Sequence, residues 1–114
     1  MAVNYFQDTI FNVGSALTAP GNGTAVQVAV NNFFATTNYT LVVKVASKNT
    51  NVVIRLEGSI DGSEWVTILA NTTISSNGNT IYTVTDTPLK WIRPVFVSEA
   101  GGTDATVTFH LAAL

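Results

Sequence analysis

Apolar and polar residues alternate along most of the chain after residue 20, which is the period of a strand with one buried face. The alternation is most regular in residues 39–46 and 105–113. Further strands are predicted over residues 24–30, 52–57, 65–70, 80–85 and 90–98. The residues expected to face the core in the two regular segments are Tyr39, Leu41, Val43 and Val45, then Ala105, Val107, Phe109, Leu111 and Ala113.

Turn signals separate these segments at intervals of about 8 to 12 residues, and no stretch has a helical period. Asp61-Gly62 lies between two alternating runs and is a strong hairpin signal. The sequence therefore predicts an all-β fold, an antiparallel β-sandwich of jelly-roll-like or immunoglobulin-like type with about seven to nine strands. Pro94 has no amide hydrogen to donate, which places residues 90–98 at a sheet edge or at a bulge.

The first twenty residues follow neither the strand period nor the helical period. We treat residues 1–20 as an N-terminal arm or first strand, and residues 21–114 as a single β-sandwich domain, because 114 residues suit one core. Two alternatives are open for the first segment. It packs on its own sandwich as a strand, or it extends to a partner.

Adjacent aromatic residues pose a packing problem at Phe33-Phe34, because neighbouring residues of a strand face opposite sides and only one ring can enter a given core. Either one ring lies in an interface, or a loop folds back and buries both. Together with the apolar residues of the first segment, these rings are the predicted interface residues: Tyr5, Phe6, Ile10, Phe11, Phe33 and Phe34.

Charged residues make up only 11% of the chain, against about 25% in an average soluble protein. The composition instead contains 17 Thr, 15 Val and 11 Asn, which favours sheet over helix. Few charged side chains are therefore available to keep edge strands from pairing with neighbouring molecules. Interface cores are depleted of Lys, Glu and Asp, so this composition predicts a homo-oligomer, either a dimer or a trimer.

Several classes of partner are excluded by the same counts. Five scattered basic residues and a net charge of −2 provide no cationic stripe for nucleic acid. No apolar run approaches the length of a membrane span, and no signal-peptide pattern is present, so we expect a soluble protein made in the cytoplasm. With no cysteine and with His110 as the only imidazole, we expect no transition-metal site and no cofactor.

One group of carboxylates, Glu57, Asp61 and Glu64, surrounds the hairpin turn. The sequence offers no partner that would tune them for acid–base catalysis. Turn chemistry explains Asp61-Gly62 more simply, since Asp bonds its own backbone and Gly accepts a positive φ. We therefore predict no catalytic residues and no enzyme activity, and we assign Asp61, Gly62 and Trp65 to a structural hairpin.

The segment Arg55-Leu56-Glu57-Gly58-Ser59-Ile60-Asp61-Gly62-Ser63-Glu64-Trp65, with the later Trp91-Ile92-Arg93, is the most specific motif in the chain. It resembles the hairpin and following strand of discoidin-type, galactose-binding-like jelly rolls, in which the turn orients a core tryptophan. This resemblance covers the two motifs only. It implies a carbohydrate-binding or adhesion module as an alternative function.

The whole chain resembles small β-sandwich virion proteins of tailed bacteriophages, in particular capsid decoration or cement proteins. The shared traits are the short length, the absence of cysteine, the Thr/Asn/Val/Gly bias, both motifs above and the Gly101-Gly102-Thr103 turn. The resemblance implies a structural protein at the capsid surface of the virion, made in the cytoplasm of a bacterial host. Its partners would be the major capsid protein and sister copies, with a phage tail or fibre component as a further alternative.

Overall fold

The computed structural model describes residues 10–28 and 36–113, and these form strands joined by turns. Within those ranges no helix is long and apolar enough to cross a membrane. The strands are β1 (Ile10–Leu17), β2 (Gly21–Asn22), β3 (Val26–Gln27), β4 (Tyr39–Ala46), β5 (Asn51–Ser59), β6 (Val66–Ile74), β7 (Gly78–Val84), β8 (Trp91–Ala100) and β9 (Thr106–Ala113).

The described residues form two antiparallel sheets. Sheet I has the strand order β1-β9-β4-β7, and sheet II has the order β2-β8-β5-β6, with β3 also paired to β8. The inner faces of the two sheets share one hydrophobic core. The predicted all-β antiparallel sandwich is therefore confirmed, and the nine strands of the described residues lie within the predicted number.

The core contains the inward residues predicted for β4 and β9. Leu41, Val43, Val107 and Phe109 are fully buried, and every predicted inward residue of the two strands is at most 2% exposed. From the other sheet, β5 and β8 contribute Ile54, Leu56, Ile92 and Phe96. Full burial of a side chain of this size stabilises the fold by about 1.5–3 kcal/mol, so regular alternation is sufficient to determine which faces meet.

Pro94 lies within a strand that has neighbours on both sides, because β8 pairs with β5 on one side and with β2 and β3 on the other. A register shift does occur on this strand, between the pairs of Val53 and Ile54, but it falls after the proline. The Pro94 carbonyl accepts a 2.7 Å bond from the amide of Gly23, in the gap between β2 and β3. Because the N and O atoms of one strand residue point to the same side, the missing proline N–H faces this gap.

The first segment includes strand β1, which pairs with β9 through Ile10↔Ala112 and Phe11↔Leu111. Of the strand predicted over residues 24–30, residues 24–28 are described, and within them β3 covers Val26–Gln27. The predicted Gly21-Asn22-Gly23 turn is also different, since Gly21–Asn22 pairs with β8 as strand β2.

A buried tyrosine ties the loops together at one end of the sandwich. The Tyr39 hydroxyl donates to the carbonyl of Thr36 at 3.0 Å and accepts from the amide of Leu89 at 3.0 Å. The Thr36 hydroxyl in turn donates to the carbonyl of Val28 at 2.9 Å. One hydroxyl thus links the start of β4 to the segment before β8.

The chain crosses from sheet II to sheet I between Ile74 and Gly78, with only residues 75–77 between them. So short a connection stacks β6 and β7 at the same lateral edge of the sandwich. Both are the outermost strands of their sheets on that side.

Candidate functional site

The turn between β5 and β6 is built on Ser59 and Asp61. The Asp61 carboxylate accepts hydrogen bonds of 2.9 Å from the amides of Ser63 and Glu64 and from the hydroxyl of Ser59. The Ser59 hydroxyl oxygen accepts from the amide of Gly62 at 2.9 Å. The amide of Glu64 is the largest of the influences that lower the pKa of Asp61, followed by the amide of Ser63 and the Ser59 hydroxyl.

Gly62 is required at this turn for two reasons. Its φ is +81°, in the region that L side chains rarely adopt. A Cβ atom at this position would also lie 3.2 Å from Nε1 of Trp91. The turn therefore packs its backbone against the indole of Trp91, which is half-buried.

The side chains of Trp65, just before β6, and Arg93, on β8, are in contact. The Arg93 guanidinium carbon lies 4.2 Å from the centre of the Trp65 ring, a cation–π distance. Trp65 is half-buried and follows the turn directly. The turn and the two tryptophans thus form one unit on the outer side of sheet II.

Glu57 lies between two arginines. Its Oε1 accepts from Nε and Nη2 of Arg93 at 2.9 and 2.7 Å, and its Oε2 accepts from Nε of Arg55 at 2.8 Å. Burial by itself would raise the pKa of Glu57, but the hydrogen bonds and positive charges of Arg93 and Arg55 outweigh it and lower the pKa. We call Arg55, Glu57, Trp65 and Arg93 the arginine cluster.

The arginine cluster corrects the interpretation of Glu57 as one of three unpartnered carboxylates around the hairpin. Alternation places Arg55 and Glu57 on one face of β5 and Arg93 on the matching face of β8, and Glu57↔Arg93 is a register pair. The sequence contained this signal in the spacing of Arg55 and Glu57. The register of β5 on β8, which brings Arg93 into contact, could not be read from it.

The carboxylates of this region are engaged in structure. Glu57 is held by the arginines and Asp61 by the turn amides, so the two act on different partners. Among residues 10–28 and 36–113, no group of three or more acidic or histidine side chains is placed to hold a metal ion. His110 is exposed on β9, opposite Val42 and Asn12 in register.

The predicted interface residues fall mainly outside the described ranges. Tyr5, Phe6, Phe33 and Phe34 lie outside them, and Ile10 and Phe11 belong to β1, where they are paired with β9 through the backbone. Their proposed role as contacts stays a prediction.

A different surface emerges at the lateral edge formed by β6 and β7. Residues 66–85 contain no Asp, Glu, Lys or Arg. Of the large hydrophobic side chains that the structure shows exposed, Val66 lies on β6 and Ile81 on β7, at 59% and 63% exposure. We call these two strands the uncharged edge.

Comparison with known proteins identifies the fold. No family model and no curated protein matches the sequence, but several solved structures match the fold. The SPBc2 prophage-derived protein YomS aligns with a TM-score of 0.62 at 15% identity, over 93% of this chain and 92% of that one.

Carbohydrate-binding modules have the same architecture. Chitosan-binding module 1 of a chitosanase/glucanase from Paenibacillus sp. IK-5 aligns with a TM-score of 0.55 at 16% identity, over 90% of this chain and 74% of that one. A pectin-binding module gives 0.58 at 15%, over 86% and 68%. The chain is thus similar in fold both to a phage-derived protein and to carbohydrate-binding modules, the two groups that its motifs resemble.

Proposed function

We propose that the protein is a non-enzymatic structural protein of a bacteriophage virion, a decoration or cement protein that binds the outer surface of the capsid as a homo-oligomer. The observation that carries the proposal is the uncharged edge. Val66 and Ile81 are exposed within twenty residues that contain no charged side chain. Such a surface suits contact with neighbouring protein molecules.

The similarity to YomS supports the phage setting, because it extends over nearly the full length of both chains. The internal bonding of the carboxylates supports a structural role. In the described residues, Glu57 and Asp61 stabilise the hairpin and its neighbouring strands, an arrangement suited to rigidity. Repeated attachment of an oligomer to a lattice multiplies modest contacts through effective concentration.

Co-sedimentation with capsids tests this proposal. Purified protein is mixed with assembled shells, and separately with unassembled major capsid protein of the same phage. We expect saturable retention on shells, little binding to free subunits, and a higher disassembly temperature of the decorated shells. Absence of retention, or equal affinity for free subunits and shells, would contradict the proposal.

Carbohydrate binding is the second candidate, favoured by the similarity to the chitosan-binding and pectin-binding modules. A sugar platform needs an exposed aromatic face. Trp65 and Trp91 are both half-buried, and each is engaged within the chain, one by Arg93 and the other by the Gly62 turn. Isothermal titration with chitosan oligosaccharides and pectin fragments separates the candidates, since we expect no binding from a decoration protein.

A further inference from the structure

The four lateral edge positions of the sandwich differ in how well they are protected. Natural sheets block pairing between molecules with short edge strands, bulges, prolines or charges. In sheet II, the edge beside β8 is divided between two strands of two residues each, β2 and β3. The opposite edge, β6, carries two register shifts against β5.

Sheet I has one protected and one unprotected edge. Strand β1 carries two register shifts against β9, on either side of Gly14. Strand β7 pairs with β4 through seven consecutive residues without a shift. It contains no charge and no proline, and no second strand of the described residues pairs with it. Among the edges that the structure describes, β7 alone lacks every protective device.

We propose that a second copy of this chain pairs with β7, antiparallel, about a two-fold axis at Ile81. Ile81 is the central residue of Gly78–Val84, so this register pairs the whole strand with its copy and joins two four-stranded sheets into one of eight strands. The inference deepens the proposed homo-oligomer and rests on it only in requiring that copies associate.

Charge argues for a second copy as the occupant. A two-fold axis places only the residues close to it near their own counterparts, so a charged side chain close to the axis would face a like charge, which is destabilising. The strand has none. The nearest cation on the neighbouring strand, Lys44, lies level with Asn79. Its copy would be about 20 Å away from strand spacing and rise, beyond the Debye length of about 10 Å at 0.1 M salt.

The exposed apolar side chains also agree with this register. Ile81 is paired in register with Val42 on β4, and both lie on the outer face of sheet I. Across the axis the row becomes Val42–Ile81–Ile81–Val42, which removes water from the most exposed apolar side chain of the strand. Asn79 of one copy meets Thr83 of the other, and both residues can exchange hydrogen bonds.

The size of the contact indicates a weak dimer. Seven residues span about 24 Å, and two stacked sheets with their side chains are about 20 Å thick. The contact then buries roughly 1,000 Å² in total, at the lower limit for a specific interface. Association should therefore depend on concentration in the micromolar range or above.

Crosslinking provides the test, since the chain has no native cysteine. Directly opposed antiparallel residues have Cα atoms about 4.5–5.5 Å apart, within the range for a disulfide. We expect Ile81→Cys to form a covalent dimer under mild oxidation. The matched control is Ile60→Cys, at an exposed isoleucine in the turn between β5 and β6 and outside the uncharged edge, and it should crosslink at least tenfold more slowly.

Sedimentation equilibrium of the full chain completes the test. We expect the wild-type protein to dimerise, and Ile81→Lys and Thr83→Lys each to raise the dissociation constant at least tenfold, with circular dichroism unchanged because both side chains are exposed. Ile60→Lys, at an exposed isoleucine outside the uncharged edge, should retain the wild-type constant. A wild-type monomer at millimolar concentration, or a dimer indifferent to both substitutions, would overturn the proposal.

The two proposals can fail separately. Crosslinking at position 81 without retention on capsids would uphold the β7 pairing and reject the decoration function. Retention on capsids that Ile81→Lys abolishes, by a wild-type protein that is monomeric in solution, would show that another chain occupies β7 and would reject the second copy.

Discussion

The Arg93 guanidinium stacks at 4.2 Å on the Trp65 ring. Its Nε and Nη2 atoms also donate to the Glu57 carboxylate, so one planar group meets a ring and a carboxylate together. Lysine cannot reproduce both contacts, since its ammonium is a point charge without a fork of donors. This relationship makes the arginine cluster a clamp between β8, β5 and the start of β6.

Replacement of Arg93 by Lys should lower the free energy of unfolding by about 1–2 kcal/mol, although the charge is kept. Urea unfolding measures the change. Lys90→Ala, at an exposed position just before β8, should change the same quantity by less than about 0.5 kcal/mol. Equal effects of the two substitutions would show that the stacked, forked geometry contributes nothing.

Acid should weaken the fold through Glu57. Its pKa in the folded protein is lowered from the usual 4.5. The ionised carboxylate therefore contributes fully to the free energy of unfolding above pH 4.5, and this contribution is lost as the pH falls through the folded pKa. Glu57→Gln should be less stable at pH 7, and its stability should decline less between pH 5 and 3 than that of the wild type.

Urea midpoints at several pH values measure this dependence. Glu64→Gln removes an exposed carboxylate from the same hairpin and should change the stability at pH 7 by less than about 0.5 kcal/mol. Parallel pH curves for wild type and Glu57→Gln would refute the role of the ion pairs.

The hairpin turn should not tolerate a side chain at Gly62. Gly62→Ala combines a positive φ with close approach to Trp91, and we expect a loss of about 1–3 kcal/mol. Gly21→Ala is the matched control, because a Cβ there meets nothing within 4 Å. Thermal unfolding followed by tryptophan fluorescence reports both stability and the Trp91 environment. An unchanged unfolding temperature in Gly62→Ala would show that the turn can relax to accept a side chain.

Removal of the Tyr39 hydroxyl should lower the free energy of unfolding by more than the loss of so small a group suggests. Tyr39→Phe leaves the half-buried amide of Leu89 without its acceptor and the buried carbonyl of Thr36 without its donor, a loss of about 1–3 kcal/mol. Tyr82→Phe, at a half-buried residue of β7, should lie within about 0.5 kcal/mol of the wild type. Hydrogen exchange at Leu89 should accelerate only in the first variant.

The core of the fold was predictable because the period of a strand is read directly from the residues. β4 and β9 alternate without interruption, and their inward residues are all buried. The hairpin was predictable from Asp61-Gly62 for the same reason, since turn chemistry is local.

The contacts that depend on how two strands align were not predictable from the sequence. Contact between Glu57 and Arg93 requires β5 and β8, which are separated by 31 residues of sequence, to align at one position. The environment of Pro94 required the same knowledge, because only the gap between β2 and β3 allows a proline inside the sheet. The lack of protection on β7 became visible only after every other edge could be compared.

The position of β9 has a consequence for the order of folding. It lies between β1 and β4, yet it leaves the ribosome after every other strand that the structure describes. Sheet I can therefore be completed only after β9 has been synthesised, when the pairing of β1 with β9 closes a loop of more than eighty residues. Until then sheet I is incomplete in the nascent chain. Refolding should be slow for a protein of this size, because the pairing of β1 with β9 joins distant parts of the sequence.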